Sequence, residues 1–199
     1  MTGLGEILLF ATHNAGKVEE MRQLLSPHGV TVVSAAERGL PEPAETEDSF
    51  VGNARIKAHA AAQATGLPAL ADDSGLCVEA LGGMPGVWTA DWAEGPGGRD
   101  FMRAMTRTHD ALAGVEAPWA AEFRCTLVLA WPDGTDEVHE GVVRGHLVWP
   151  VRGALGHGYD PMFVPEGEER TFAEMGPAEK NALSHRARAL RSLLEKRFT

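Results

Sequence analysis

Cysteine is scarce. The 199 residues include only Cys77 and Cys125, 48 positions apart and without a CxxC pair. That excludes a disulfide framework and a cysteine-rich zinc site, and makes free thiols in a reducing cytoplasm the expectation. Long apolar runs are missing too. Residues 7–11 and 127–131 are the longest, far short of the ~18 that a membrane helix needs. The opening MTGLGEILLF has no Lys or Arg before its apolar run and carries Glu6, which is not the pattern of a signal peptide. None of the eight histidines stands four positions from another, and His139-Glu140 lacks a second His, so zinc-hydrolase chemistry is disfavoured. There is no GxSxG and no GxGxxG after a strand, which removes the hydrolase elbow and the dinucleotide fingerprint. Positive charge is also in deficit: 18 Lys and Arg face 28 Asp and Glu, a net charge of −10. A nonspecific nucleic-acid binder would carry a basic surface instead.

What remains is ordinary for a soluble globular chain: 44% hydrophobic and 23% charged residues. A chain of this length buries roughly 70% of its unfolded surface and needs no staple. One domain, 1–199, is expected. The charge is uneven. From Lys180 onward six basic residues face one acid, leaving 12 basic and 27 acidic residues before it, a balance of −15.

The pattern along the chain is strand–helix–strand at the start. Residues 6–12 read as a buried strand. Val18, Met21, Leu24 and Leu25 recur at helical spacing until Pro27 and Gly29, and 30–34 is a second strand. Residues 37–47 read as an acidic, proline-bearing loop. Asp48 or Ser49 can cap a long Ala-rich helix to Thr65, closed by Gly66. Residues 68–72 form a strand ending in Asp73-Ser74-Gly75, and 82–98 an irregular Gly/Pro-rich excursion. A helix to about 112 follows, then strands at 123–131 and 137–148 joined by Pro132-Asp133-Gly134-Thr135. Residues 153–165 are loop and short strand, and 177–198 are helical with Pro177 in the first turn. The expected class is α/β with a mixed sheet flanked by helices.

Four segments can carry chemistry. Thr12-His13-Asn14-Ala15-Gly16-Lys17 sits where a strand hands over to a helix, whose N-terminal amides favour an anion. It is not a P-loop, because Ala11 stands where the first Gly belongs and Val18 follows the lysine. The plain alternative is a helix cap with a solvated lysine. Second come the acids Glu45, Glu47, Asp72 and Asp73, hard oxygen ligands suited to Mg²⁺. Neighbours in an extended strand point to opposite faces, so Asp72 and Asp73 cannot enter one cleft unless the chain turns between them. A solvent-facing acidic turn is the alternative. Third is Gly156-His157-Gly158-Tyr159-Asp160-Pro161, open to a flat ligand or simply a tight turn. Fourth is Lys180-Asn181-Ala182-Leu183-Ser184-His185-Arg186. On one continuous helix Lys180 and His185 stand about 140° apart and cannot share a site. If Ser184 caps a new helix, His185 and Arg186 fall in its first turn and can turn back toward Lys180. The alternative is one basic surface helix.

Taken together and in order, these segments resemble one family, the inosine triphosphate pyrophosphatases, also called XTP/dITP diphosphatases. FATHNAGKVEEM, ETEDSFVGNARIKA, LPALADDSGLCVEALGGMPGVWTA, GHGYDPMFVP and EKNALSHRARAL carry the resemblance across nearly the whole chain. It implies an elongated mixed sheet flanked by helices, two lobes with a nucleotide cleft between them, and usually a homodimer. It implies Mg²⁺-dependent hydrolysis of ITP, dITP and XTP to monophosphate and pyrophosphate. By position, Thr12, His13, Asn14, Ala15, Gly16 and Lys17 would hold the triphosphate. Glu45 and Asp73 would organise the metal, with Asp73 the general base, and Ser74 would touch phosphate. His157, Gly158, Tyr159, Asp160, Lys180, His185 and Arg186 would surround base and sugar. Arg186, a donor-only side chain, suits a 6-keto oxygen and rejects an adenine amino group. The family commonly has Phe where this chain has His157, so ring stacking on the purine becomes an imidazole contact. Two other classes stand beside this reading: a nucleotide sensor that binds without hydrolysing, against which Glu45 and Asp73 argue, and a pyrimidine nucleotide pyrophosphatase, against which KNALSHR argues.

Overall fold

A computed structural model describes residues 7–198, so the reading of 1–6, including Glu6 as the first strand residue, lies outside the described residues. Six strands form a sheet in the order β2-β1-β3-β4-β5-β6. They are β1 (Ile7–Phe10), β2 (Thr31–Ser34), β3 (Ala69–Val78), β4 (Trp119–Ala130), β5 (Asp136–Leu147) and β6 (Phe163–Pro165). The α-helices are α1 (Ala15–Leu25), α2 (Phe50–Thr65), α3 (Phe101–Ala111), α4 (Pro177–Leu183) and α5 (His185–Phe198). Strand β1 pairs in parallel with β2 and β3, whereas β5 and β6 are antiparallel. The sheet is therefore mixed, as the α/β reading expects.

The chain divides into two compact units. One comprises Met1–Asp73, Cys125–Gly141 and Arg186–Thr199; the other comprises Ser74–Arg124 and Val142–His185. The first unit is a three-layer sandwich built by strand alternation. Leu8, Phe10 and Leu70 point to one face and pack with Val18, Met21 and Leu25 of α1 and with Leu190 and Leu193 of α5. Leu9, Ala11, Ala69 and Ala71 point to the other and pack on Ala54, Ala58, Ala61 and Ala62 of α2. The alanine stripe of α2 lets helix and strands approach closely. Ser49 caps that helix by accepting from Gly52 N, and Gly66 closes it in the left-handed conformation at φ 68°.

The second unit packs around Phe123, Phe163, Phe172 and Tyr159 with Met105, Leu112 and Leu147. Strand β3 continues into this unit to Val78, so the expected strand end at Asp73-Ser74-Gly75 is corrected. Leu76 and Val78 are fully buried in the second core, and that burial keeps the backbone extended past the polar residues. Likewise β4 starts at Trp119, before the expected 123.

Both cysteines are free. Burial pushes the Cys125 thiol up to about 12 and raises that of the half-buried Cys77. Because the thiolate is the reactive form, both thiols should label slowly with a disulfide reagent in the native protein and completely after denaturation. Rapid native labelling of Cys125 would contradict its burial.

Candidate active site

The connection from β1 through α1 to β2 lies on one face of the first unit, and that from β2 through α2 to β3 on the other. With strand order β2-β1-β3, the chain reverses direction across the sheet between β1 and β3. In open α/β sheets ligands bind outside the carboxyl ends of the strands at such a switch point. Here Thr12–Lys17 follow the carboxyl end of β1, and Asp72-Asp73 lie within β3 just past its pairing with β1 at Ala69 and Leu70.

Asn14 caps α1: its Oδ1 accepts from Lys17 N at 3.1 Å, while Thr12 Oγ1 accepts from Asn14 N at 3.2 Å. His13 Nε2 bonds the Leu40 carbonyl at 2.8 Å, tying this turn to the loop after β2. Ala15 and Gly16 are exposed at the first turn of the 11-residue helix, where free amides and the helix dipole favour an anion.

Strand β3 does not turn at its two aspartates, so they face opposite ways, as alternation requires. Asp72 lies on the α1/α5 face. Its Oδ2 is 3.0 Å from Lys17 Nζ and 3.0 Å from Arg186 Nη2, and Arg186 Nη1 donates to Glu20 Oε2. Asp73 lies on the α2 face. Its Oδ1 is 3.8 Å from Lys57 Nζ, which also donates to Glu45 Oε1. Burial opposes ionisation of Asp72, but Lys17 and Arg186 outweigh it and hold its carboxyl well below the usual range. Asp73 goes the other way: burial, aided by Glu45 and Asp72, outweighs Lys57 and pushes it up to about 6. Neighbouring carboxyls driven apart in this way are suited to different tasks, one as a fixed anion and one as a proton acceptor.

Glu45 and Asp73 suit a hard divalent cation. They already share one cation, the Lys57 ammonium, so both can address a single positive centre. Among the described residues no group of three or more His, Cys, Asp or Glu side chains that could hold a metal ion is found.

The second unit holds the other expected residues. Asp160, 2% exposed, accepts from His157 N at 2.7 Å and Lys180 Nζ at 2.6 Å. Gly156 makes room for this: its φ is 74°, and a Cβ there would stand 2.1 Å from Asp160 Oδ2. Lys180 also lies over the Phe172 ring at 5.8 Å. His185 stacks on Phe123 with centroids 4.9 Å apart and planes 12° apart. The helix does break at Ser184, which is extended at ψ 153°, so 177–198 is two helices. Ser74 is half-buried on β3, and His157 is exposed.

Two residues sit differently from the expectation. Tyr159 is 1% exposed, with Phe101 edge-on at 5.9 Å. Its ring belongs to the core, and burial pushes its phenol up to about 12. Arg186 is also 1% exposed. Both of its terminal nitrogens are on carboxylates of the first unit, so the expected turn back toward Lys180 is corrected. Successive residues in a helix differ by about 100°, and the charges of Glu20 and Asp72 fix which way Arg186 goes. The sequence reading passed over Glu20 and Lys57. The signal was present: each is a charged residue beside the apolar stripe of its helix, next to Met21 and Ala58, and a buried charge demands partners.

The Ham1 family profile matches residues 8–196. A dITP/XTP pyrophosphatase of Ruegeria pomeroyi is 69% identical over 193 residues, covering 96% of this chain and 95% of its own. One from Gluconobacter oxydans is 57% identical over 190 residues, covering 96% and 90%. Among solved structures, a HAM1 protein from Coxiella burnetii superposes with a TM-score of 0.87 at 37% identity, over 96% of this chain and 97% of that one. A dITP/XTP pyrophosphatase from Mycobacterium abscessus gives 0.74 at 39% identity, over 94% and 98%. Sequence and fold agree over nearly the full length of both partners in each comparison, and the chain belongs to the Ham1 family.

Proposed function

We propose that the protein hydrolyses the 6-keto purine triphosphates ITP, dITP and XTP to the monophosphate and pyrophosphate, with Mg²⁺ held by Glu45 and Asp73. The observation that carries this reading is the pair of adjacent aspartates at the switch point, one fixed as an anion by Lys17 and Arg186 and the other raised toward neutrality beside Lys57 and Glu45. The dITP/XTP pyrophosphatases that share 69% and 57% of its residues support the same substrate class.

In this reading the amides of Ala15 and Gly16 and the Lys17 ammonium bind the phosphates, with Ser74 adding a hydroxyl. The metal, when bound, neutralises charge that develops on the phosphate oxygens. Asp73 orients a water and accepts its proton as the water oxygen bonds to phosphorus. The α–β anhydride bond breaks, and pyrophosphate leaves. Asp72, Arg186 and Glu20 keep Lys17 in place. Lys180, positioned by Asp160, and His185, positioned by Phe123, face the base and sugar together with His157, Gly158 and Tyr159. Tyr159 contributes through its backbone, since its ring is buried. The proposal includes a homodimer and a cytoplasmic location, on the family resemblance and the two free thiols.

The test is a product assay over a panel of nucleoside triphosphates with Mg²⁺. Pyrophosphate from ITP, dITP and XTP, lost in excess chelator, is the expected result. Orthophosphate as the main product, or undiminished turnover in chelator, would refute it. Binding of these nucleotides without any product would make the protein a sensor.

A further inference from the structure

Lys57 is 7% exposed on the buried stripe of α2. Its ammonium donates to Glu45 Oε1 and lies 3.8 Å from Asp73 Oδ1. The position that a divalent ion would share with these two carboxylates is therefore already served by a fixed monovalent one. Beside it lies a cavity of about 100 Å³ lined by Ala11, His13, Leu40, Pro43, Lys57 and Ala61. A lysine is a point charge on a flexible four-carbon stem, and this cavity gives that stem room to move.

We propose that Lys57 is an internal counter-ion that excludes the free metal, so that the divalent ion enters only with the nucleotide, whose phosphates give the displaced ammonium a new anion. This rests on the assignment of Glu45 and Asp73 as the metal-holding pair. Without nucleotide, a divalent ion approaching Glu45 and Asp73 meets the Lys57 charge at close range and must displace it with nothing to receive it. A triphosphate changes that balance. It brings about four negative charges, supplies the missing metal ligands and offers Lys57 a partner. The order of binding then follows from electrostatics: metal and nucleotide arrive together, and a free-ion complex does not accumulate.

Mn²⁺ is the probe, followed by electron paramagnetic resonance on the full chain. Wild-type protein should retain little Mn²⁺ alone and a full equivalent when α,β-methylene ITP is added. Tight binding of Mn²⁺ to the nucleotide-free wild type would overturn the proposal, and this measurement needs no variant. Lys57→Met should bind Mn²⁺ without nucleotide at least about tenfold more tightly than wild type, and Lys57→Arg should resemble wild type. Unchanged or weaker binding in a folded Lys57→Met, judged by its thermal melt, would overturn it as well. Lys57→Gln is read in the same way should Lys57→Met fail to fold. The gain should vanish in Lys57→Met/Asp73→Asn. A distinct failure is recognisable: if wild type and Asp73→Asn hold Mn²⁺ equally in the presence of the analogue, the carboxylate pair is not the metal site, and the function reading falls together with this one.

Discussion

Asp73→Asn is expected to lower turnover of ITP by a factor of about 10²–10⁴ while the protein still folds and still binds nucleotide. The substitution keeps size and shape and removes the proposed proton acceptor. Asp73 is 5% exposed, and its partner Lys57 retains Glu45 as a counter-ion, so the buried charge of Lys57 is not stranded. Loss of a proposed metal ligand adds to the kinetic effect. Steady-state kinetics and a thermal melt on the same preparation check both halves. Turnover within a few-fold of the parent would remove Asp73 from the role of base. Asp72→Asn is the informative companion. It strips the carboxylate shared by Lys17 and Arg186, so its damage should appear first in stability and in nucleotide affinity.

Arg186→Ala should cost about 3–5 kcal/mol of stability, the usual consequence of deleting one partner from a buried ion network. Arg186 is 1% exposed and bridges Glu20 on α1 to Asp72 on β3; without it two buried carboxylates lose the guanidinium they share. Chemical denaturation reads this as a lower midpoint with an unchanged slope. The same variant settles the specificity question. Because its terminal nitrogens are engaged by carboxylates, kcat/KM for ITP and for ATP should fall by the same factor. A selective loss for ITP would restore Arg186 as the group that reads the 6-keto oxygen.

The elements of the fold were legible because each carries its own signal. The α2 cap at Ser49, its Gly66 terminus and the break at Ser184 all follow from local rules about side-chain acceptors and left-handed glycine. The alternation argument at Asp72-Asp73 was also readable, since it depends only on the strand being extended. The pairing of charges was not. Glu20 and Arg186 are 166 positions apart, and no local pattern says which of many acids a basic residue will meet. Arg186 therefore looked free to read a base, and Lys57 looked like one more lysine on a helix. The length of β3 was missed for a related reason: Leu76 and Val78 are fixed by a core that forms in the second unit, which a reading of the polar Asp-Asp-Ser-Gly run does not reveal.

The discontinuous make-up of the first unit has a consequence for the order of events on the ribosome. Arg186 lies 114 positions after its partner Asp72, and α5 also supplies Ala189, Leu190 and Leu193 to the core beneath α1. At synthesis rates of ~5–20 residues per second, Asp72 is made about 6–23 s before the guanidinium that pairs with it. During that interval α1 and the first three strands exist without the helix that covers one of their faces, and Asp72 and Glu20 lack the guanidinium that joins them. A nascent chain in this state exposes apolar surface and has unsatisfied charge at the same place, which is where a chaperone would engage it. The site thus matures in one late step, so a chain stopped short of α5 would yield an open sheet, not a weakened enzyme.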